Sequence, residues 1–235
     1  MLSNLPKVQT MARLGQVSSV MLTGKGEPCL NFKDVLLFCD HFREFPLEIQ
    51  TNGIWLSNHI LEVPVLQEHG MNVIAISVDD SGSAPIEKLS KAIHDWGMLL
   101  RMTFNVTNGH KFRELSFQSL LEYCLKWGVD QLTLRKIIAP NYTEETEQTE
   151  WIKENIDSLL YPRLIGELKT ACIKNGHHIR ALPYGAEIYD IQGIAVSYSN
   201  YCIQDDNDTE DIRSLIFMEN GHVYTSWNSE ASKLF

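Results

Sequence analysis

Three short polar motifs in the first third of the chain have the residue types and spacing to hold a small ligand. In Thr23-Gly24-Lys25-Gly26-Glu27-Pro28, two closely spaced glycines let the backbone approach a ligand, and the Glu27 carboxylate can accept hydrogen bonds from an ammonium group. It is not a phosphate-binding P-loop, because Lys25 is followed by glycine and the upstream glycine spacing is wrong. Gln50-Thr51-Asn52-Gly53 and Ser77-Val78-Asp79-Asp80-Ser81 follow. Each of the three also reads as an ordinary tight or capped turn. Their order raises the functional reading, since all three close successive strand-like runs.

Those runs are Ser18 to Thr23, Leu47 to Thr51, Val73 to Val78, Leu100 to Val106 and Gln131 to Ile137, with starts spaced 29, 26, 27 and 31 residues apart. Segments with helical period lie between them: Asp34 to Cys39, Ile60 to His69, Ile86 to Trp96, and Leu115 to Trp127, where Leu120, Leu121, Cys124 and Leu125 share a face. Strand, helix and strand at this spacing predict parallel strands joined by right-handed crossovers. Gly70 and Gly128 each end a helix and lead directly into a strand, as left-handed caps of short turns. Polar residues at the strand ends (Thr23, Thr51, Ser77, Asn105) suit a TIM-type barrel, whose active site gathers at that rim. A doubly wound open sheet has the same rhythm and stays open as the competitor.

Continued backwards, the rhythm calls for a strand before Met1, whereas Leu2, Leu5, Val8, Met11, Ala12 and Leu14 already read as an amphipathic helix stopped by Gly15. The expectation is a barrel missing its first strand. After Ala139 the pattern changes. An acidic connector from Asn141 to Glu150 leads into a helix from about Trp151 to Asn175, with a possible break at Pro162 and a stop at Gly176. Ala186 to Cys202 and Ile212 to Trp227 are strand-like, the latter with Asn220-Gly221 as a hairpin turn. The expected organisation is a β/α core over residues 1–140, the connector and long helix over 141–180, and a small β extension over 181–235.

Composition narrows the function classes. The 235 residues carry 20 Lys+Arg against 30 Asp+Glu, and a net charge of −10 argues against non-specific nucleic-acid binding. No apolar run has the length of a membrane span, and Met1 to Gln9 lacks the layout of a signal peptide, so a cytoplasmic protein is expected. The five cysteines, at 29, 39, 124, 172 and 202, are never closer than ten residues. This excludes a local Cys-x2-Cys knuckle and argues against structural disulfides. Cys29 and Cys39 read as packing residues. The His177-His178 pair beside Gly176 suits a helix C-terminus better than a metal, and the cluster Asp205, Asp206, Asp208, Glu210 and Asp211 reads as a solvated loop more readily than as a cation site. No Gly-x-Ser-x-Gly hydrolase elbow is present.

Over roughly residues 1 to 140 the chain resembles the radical S-adenosylmethionine enzymes. The resemblance runs through Leu22-Thr23-Gly24-Lys25-Gly26-Glu27-Pro28, similar to the family's Gly-x-Gly-Glu-Pro loop. It continues through Glu48-Ile49-Gln50-Thr51-Asn52-Gly53, Ile74 to Asp79 and Leu100 to Val106. It implies a partial (β/α)6 barrel that binds S-adenosylmethionine. Gly24, Gly26, Glu27 and Pro28 would form the loop at its methionine amino group, with Thr51 and Asn52 in the next motif. Ser77 would lie near the ribose or carboxylate, Arg101 near the carboxylate with Thr103 beside it, and Ile137 near the adenine. The implied activity is reductive cleavage of S-adenosylmethionine to a 5'-deoxyadenosyl radical, followed by hydrogen abstraction from an unknown substrate. The family's 4Fe-4S cluster is held by Cys-x3-Cys-x2-Cys, a spacing absent from this chain. Two expectations follow: an enzyme fragment whose cluster loop lies upstream, or a non-catalytic barrel acting as a cofactor-binding or protein-interaction scaffold.

Overall fold

Alternation along the strands, with polar side chains on one side and branched apolar ones on the other, sets the architecture. The computed structural model describes residues 2–24, 26–78, 84–107, 115–137, 146–156, 159–182, 186–199, 212, 214–227 and 230–235. Lys25, Asp79 to Ser81, Asn141 to Glu145 of the acidic connector, Cys202 and the acidic cluster from Asp205 to Asp211 lie outside the described residues. In chain order the elements are α1 (Leu5–Leu14), β1 (Val20–Leu22), α2 (Phe32–Phe42), β2 (Leu47–Thr51), α3 (Ile54–Asn58), α4 (Val63–Glu68), β3 (Met71–Val78), α5 (Ala84–Asp95), β4 (Leu99–Val106), α6 (Phe117–Lys126), β5 (Gln131–Lys136), α7 (Thr146–Asn155), α8 (Leu160–Asn175), β6 (Gly176–Ala181), β7 (Glu187–Ile191), β8 (Ile194–Ser199), β9 (Ile216–Phe217) and β10 (Val223–Tyr224).

The fold is α/β. Eight strands form one open sheet in the order β1-β2-β3-β4-β5-β8-β7-β6, with β1 to β5 and β8 parallel and the β6–β7–β8 end antiparallel. The order of β1 to β5 never reverses, so the doubly wound alternative, which requires a reversal, is excluded. Right-handed crossovers in an unreversed order put the connecting helices on one side of the sheet. On that side Leu47, Ile49, Ile74, Ile76, Leu100, Met102, Phe104, Leu132, Leu134 and Val196 are buried in one core with the helices. No helix among the described residues is long and apolar enough to cross a membrane.

The opposite face is polar and cross-linked. Arg101 Nε donates to Gln131 Oε1 at 2.7 Å, and its guanidinium reaches Glu48 Oε2 at 2.5 Å. Glu48 is on β2 and Arg101 on β4, so the side chain spans two strand spacings, about 9.6 Å, across β3. Ala75, opposite Arg101 in register and fully buried, leaves room for that crossing. One row further along, Ser77, Thr103, Thr133 and Ser197 are aligned on four adjacent strands, and the last two hydroxyls are 3.0 Å apart.

Several local expectations are corrected. Leu14 and Leu125 do not join the buried faces of their helices; they are 80% and 43% exposed. The helical expectation over Ile60 to His69 becomes a 3-10 turn, Ile60–Glu62, followed by α4 with Pro64 in its first turn. The long C-terminal helix is two helices. The break lies before Leu160, and Pro162 occupies the first turn of α8, where its missing N–H leaves no hydrogen bond unmade. Gly70 and Gly128 adopt the expected left-handed conformation, with φ of 94° and 63°. Gly176 does not, since α8 runs directly into β6 through an extended residue. A Cβ there would meet the Cys172 Cα at 2.9 Å, so close approach, not chirality, requires this glycine. The β9–β10 hairpin turns at Asn220-Gly221 and folds back onto α1 and α2, through Asn4 Nδ2 donating to Gly221 O at 2.7 Å and Phe38 against Phe217.

Because the Arg101–Glu48 pair is largely shielded from water, Glu48→Ala should lower stability by about 2 kcal/mol. That is less than the loss of a fully buried pair, since a quarter of the Arg101 side chain is exposed. Ala75→Leu should act in the same direction by obstructing the crossing, and urea denaturation of both variants checks this.

Candidate functional site

The turn after β1 is held by one carboxylate. Glu27 is the N-cap of the 3-10 helix Pro28–Asn31, with extended backbone, and its Oε1 accepts from Cys29 N at 3.0 Å and from Thr51 Oγ1 at 2.6 Å. Its Oε2 accepts from Asn52 N at 2.8 Å. Thr51 Oγ1 accepts in turn from Gly53 N at 3.0 Å, and Asn52 Oδ1 accepts from Ile54 N at 2.9 Å, which starts α3. The first two polar motifs are therefore one unit, with the glycine loop clasped to the end of β2. An ionised carboxylate offers about four acceptor positions, and three are occupied here, so about one remains for a ligand.

Around this clasp lies a cavity of about 220 Å³ lined by Thr23, Gly24, Gly26, Glu27, Pro28, Gln50, Thr51, Asn52 and Ser77. Of the site residues expected from sequence, Gly24, Gly26, Glu27, Pro28, Thr51, Asn52 and Ser77 are brought together here. Thr23 and Gln50, members of the first two motifs to which the resemblance gave no role, line it as well. The signal for them was strand alternation, because Thr23, Gln50 and Ser77 follow Met21, Glu48 and Ala75 by two residues on the polar face. A Cβ at Gly26 would meet nothing within 4 Å, so the loop backbone borders open space.

Arg101, Thr103 and Ile137 lie elsewhere. Arg101 is bound to Glu48 and Gln131 in the floor of the polar face. Thr103 is 1% exposed, and its Oγ1 has no hydrogen-bond partner among the described residues. Ile137 lines a second, larger cavity of about 530 Å³ at the end of β5, together with Glu147, Trp151 and Ile152 of α7. The His178 ring pairs with Glu187 at 2.6 Å and packs edge-on against Tyr189.

Among the described residues no three His, Cys, Asp or Glu side chains gather as metal ligands. Cys29, Cys39, Cys124 and Cys172 are free, buried thiols on separate elements. Burial pushes the Cys29, Cys39 and Cys124 thiols up to about 12, and raises Cys172 as well. For Cys29, the hydrogen bond to Thr51 acts against burial, and the Glu27 charge adds to it. Neutral, scattered thiols do not fit an iron–sulfur cluster, which needs neighbouring thiolates.

No protein-family model matches this chain, and no curated protein matches it significantly. Among solved structures it is similar to SuiB of Streptococcus suis bound to S-adenosylmethionine, at 20% identity and a TM-score of 0.48, covering 72% of this chain and 41% of SuiB. It is also similar to 3-dehydroquinate dehydratase of Geobacillus kaustophilus (11% identity, TM-score 0.41, 59% of this chain and 57% of that one). A chitinase of Chromobacterium violaceum is a further likeness (11%, TM-score 0.36, 80% of each chain). The chain thus spans about two fifths of SuiB, and likenesses this slight assign neither family nor activity.

The buried thiols carry a pH prediction. A folded-state thiol raised from 9.0 to about 12 stays neutral while its unfolded counterpart ionises, so the unfolded state loses protons first. The stabilisation is complete below about pH 9 and is lost between pH 9 and 12. Denaturation midpoints should fall across that window, and Cys39→Ser and Cys124→Ser should flatten the fall. At pH 8 the four described thiols, Cys29, Cys39, Cys124 and Cys172, should react slowly with a thiol reagent in the native protein, as site-resolved labelling reads, until it is denatured.

Proposed function

We propose that this chain is an S-adenosylmethionine-binding domain of the radical S-adenosylmethionine type, built on a partial (β/α) barrel that carries a β extension at its C-terminal end. The observation that carries this reading is that seven residues singled out from three separate motifs line one cavity at the C-terminal ends of β1, β2 and β3. In a parallel sheet that rim is where ligands bind.

The residues divide the work by chemistry. The remaining acceptor position on Glu27 takes the ligand's amino group, and Gly26 lets the backbone come close. Ser77 and the side-chain amide N–H2 of Asn52, which has no partner among the described residues, are donors for the carboxylate or ribose hydroxyls. Arg101 holds the β2–β4 floor through Glu48, so it supports the cavity from beneath. Ile137, expected near the adenine, lines the other cavity and has no part in this one. The cofactor itself contributes a sulfonium centre. Its reductive cleavage needs an electron from a cluster whose thiolates the described residues do not supply, so the function proposed for this chain is binding and orientation of the cofactor. The substrate class stays open at this site, and cytoplasmic placement is part of the same reading.

Calorimetry with S-adenosylmethionine tests it. Gly26→Val adds bulk only where the loop borders open space, so it should fold with an unchanged thermal midpoint and bind at least about tenfold more weakly. Ser77→Ala should weaken binding in the same direction. Glu27→Ala should both weaken binding and lower the midpoint, because it also unties the clasp. Undiminished binding in Gly26→Val and Ser77→Ala would overturn the proposal.

A further inference from the structure

The groove between the end of β5 and α7 is chemically unlike the polar cavity. Glu147 and Trp151 are one helical turn apart and share a face of α7; with Ile152 and Ile137 they line a cavity of about 530 Å³, within the usual range for small-molecule sites. Trp151 is 49% exposed, which is a large indole surface to leave in water on a partly polar helix. Glu147 forms no ion pair among the described residues, whereas the carboxylate of Glu27 is three-quarters committed to its own loop. The two isoleucines supply apolar contact in the same lining.

An indole and an uncommitted carboxylate one helical turn apart, sharing a cavity lining with two isoleucines, are matched by a positive charge on an apolar stem. The ring quadrupole attracts the cation, the carboxylate neutralises it, and the isoleucines take the methyl or methylene groups. An anion would face Glu147, and a neutral polar molecule would forfeit both attractions. The chain's net charge of −10 favours the approach of cations over anions. We propose that this groove is a binding site for an organic ammonium group, either quaternary as in choline or primary as in an alkylamine or lysine side chain. The site is separate from the one that holds S-adenosylmethionine in the preceding proposal and does not depend on it.

The test uses the intact chain and a pair of probes of one shape, choline and its neutral isostere 3,3-dimethyl-1-butanol, titrated by calorimetry; n-butylammonium distinguishes the primary from the quaternary case. The expected result is saturable binding of choline or n-butylammonium, with the neutral alcohol weaker by at least about tenfold. Glu147→Gln and Trp151→Leu should each weaken the cation by about tenfold with unchanged thermal midpoints, since both side chains are exposed, and Trp151→Phe should retain more than Trp151→Leu. Equal affinity for the neutral isostere, no binding of either cation at millimolar concentration, or full binding in Glu147→Gln would overturn the inference. So would loss of cation binding when the protein is saturated with S-adenosylmethionine, because the groove would then belong to the cofactor; that outcome leaves the cofactor proposal standing. A chain that binds the cation but no S-adenosylmethionine has the reverse meaning.

Discussion

The constraint on which the rest of this structure depends is a parallel strand order that runs from β1 to β5 without reversal. Right-handed crossovers then send the helices to a single side, and period-two alternation assigns every strand residue to the helix side or the open side. Parallel sheets normally need apolar residues on both faces. Here the open side carries Glu48, Gln50, Ser77, Arg101, Thr103, Gln131, Thr133 and Ser197, and it is kept together by bonds that run across strands. The Arg101–Glu48 link crosses β3 at the position of an alanine, Ala75, whose small side chain leaves room for it. A polar floor of this kind is compatible with a ligand-bearing cleft above it, where an apolar floor would have called for a second layer of helices.

Within that frame, Glu27 has two demands on one carboxylate. As N-cap and clasp it satisfies Cys29 N, Asn52 N and the Thr51 hydroxyl, three donors that would otherwise be exposed or orphaned at a turn. The same bonds fix the direction of its remaining acceptor position. A carboxylate on a mobile loop would lose conformational entropy on meeting a ligand, whereas this one has been ordered by folding. The loop's order and its binding capacity thus come from the same residue.

Legibility in the sequence followed the range of the interaction. Strand spacing, helix–strand glycines such as Gly70 and Gly128, and the Asn220-Gly221 hairpin are local, and the structure has them where the pattern predicts. The cavity around Glu27 was legible because all three motifs close successive parallel strands, which brings their ends together whatever lies between. What was not legible depends on partners distant in sequence. Leu14 and Leu125 fit their helical stripes, yet no element covers them. Gly176 looked like a cap, but its role comes from the close approach of the Cys172 backbone within an uninterrupted α8–β6 passage. Arg101 looked like a ligand-binding cation, and only the two-strand reach across Ala75 gives it Glu48 as a partner, 53 positions away. Neither Glu147 nor Trp151 had any motif to mark it; only the cavity they line with Ile137 does so.

The two cavities also show how one sheet face can sort ligand chemistry by strand. At β1 to β3 the rim is built from glycines, hydroxyls and amides around a carboxylate already hydrogen-bonded three times, a surroundings suited to a ligand rich in donors and acceptors. At β5 the rim is two isoleucines, an indole and an uncommitted carboxylate, suited to charge on an apolar stem. Between them runs the hydroxyl row of Ser77, Thr103, Thr133 and Ser197, in which Thr133 and Ser197 satisfy each other and Thr103 Oγ1 is left without a described partner. Leaving a buried hydroxyl unpaired costs on the order of 1–3 kcal/mol. A threonine there is isosteric with valine, so packing alone would favour the apolar residue. The hydroxyl at this position lies on the polar side of the sheet, on β4, between the strands β3 and β5 that carry the two cavities, so it is not one that packing against the helices selects.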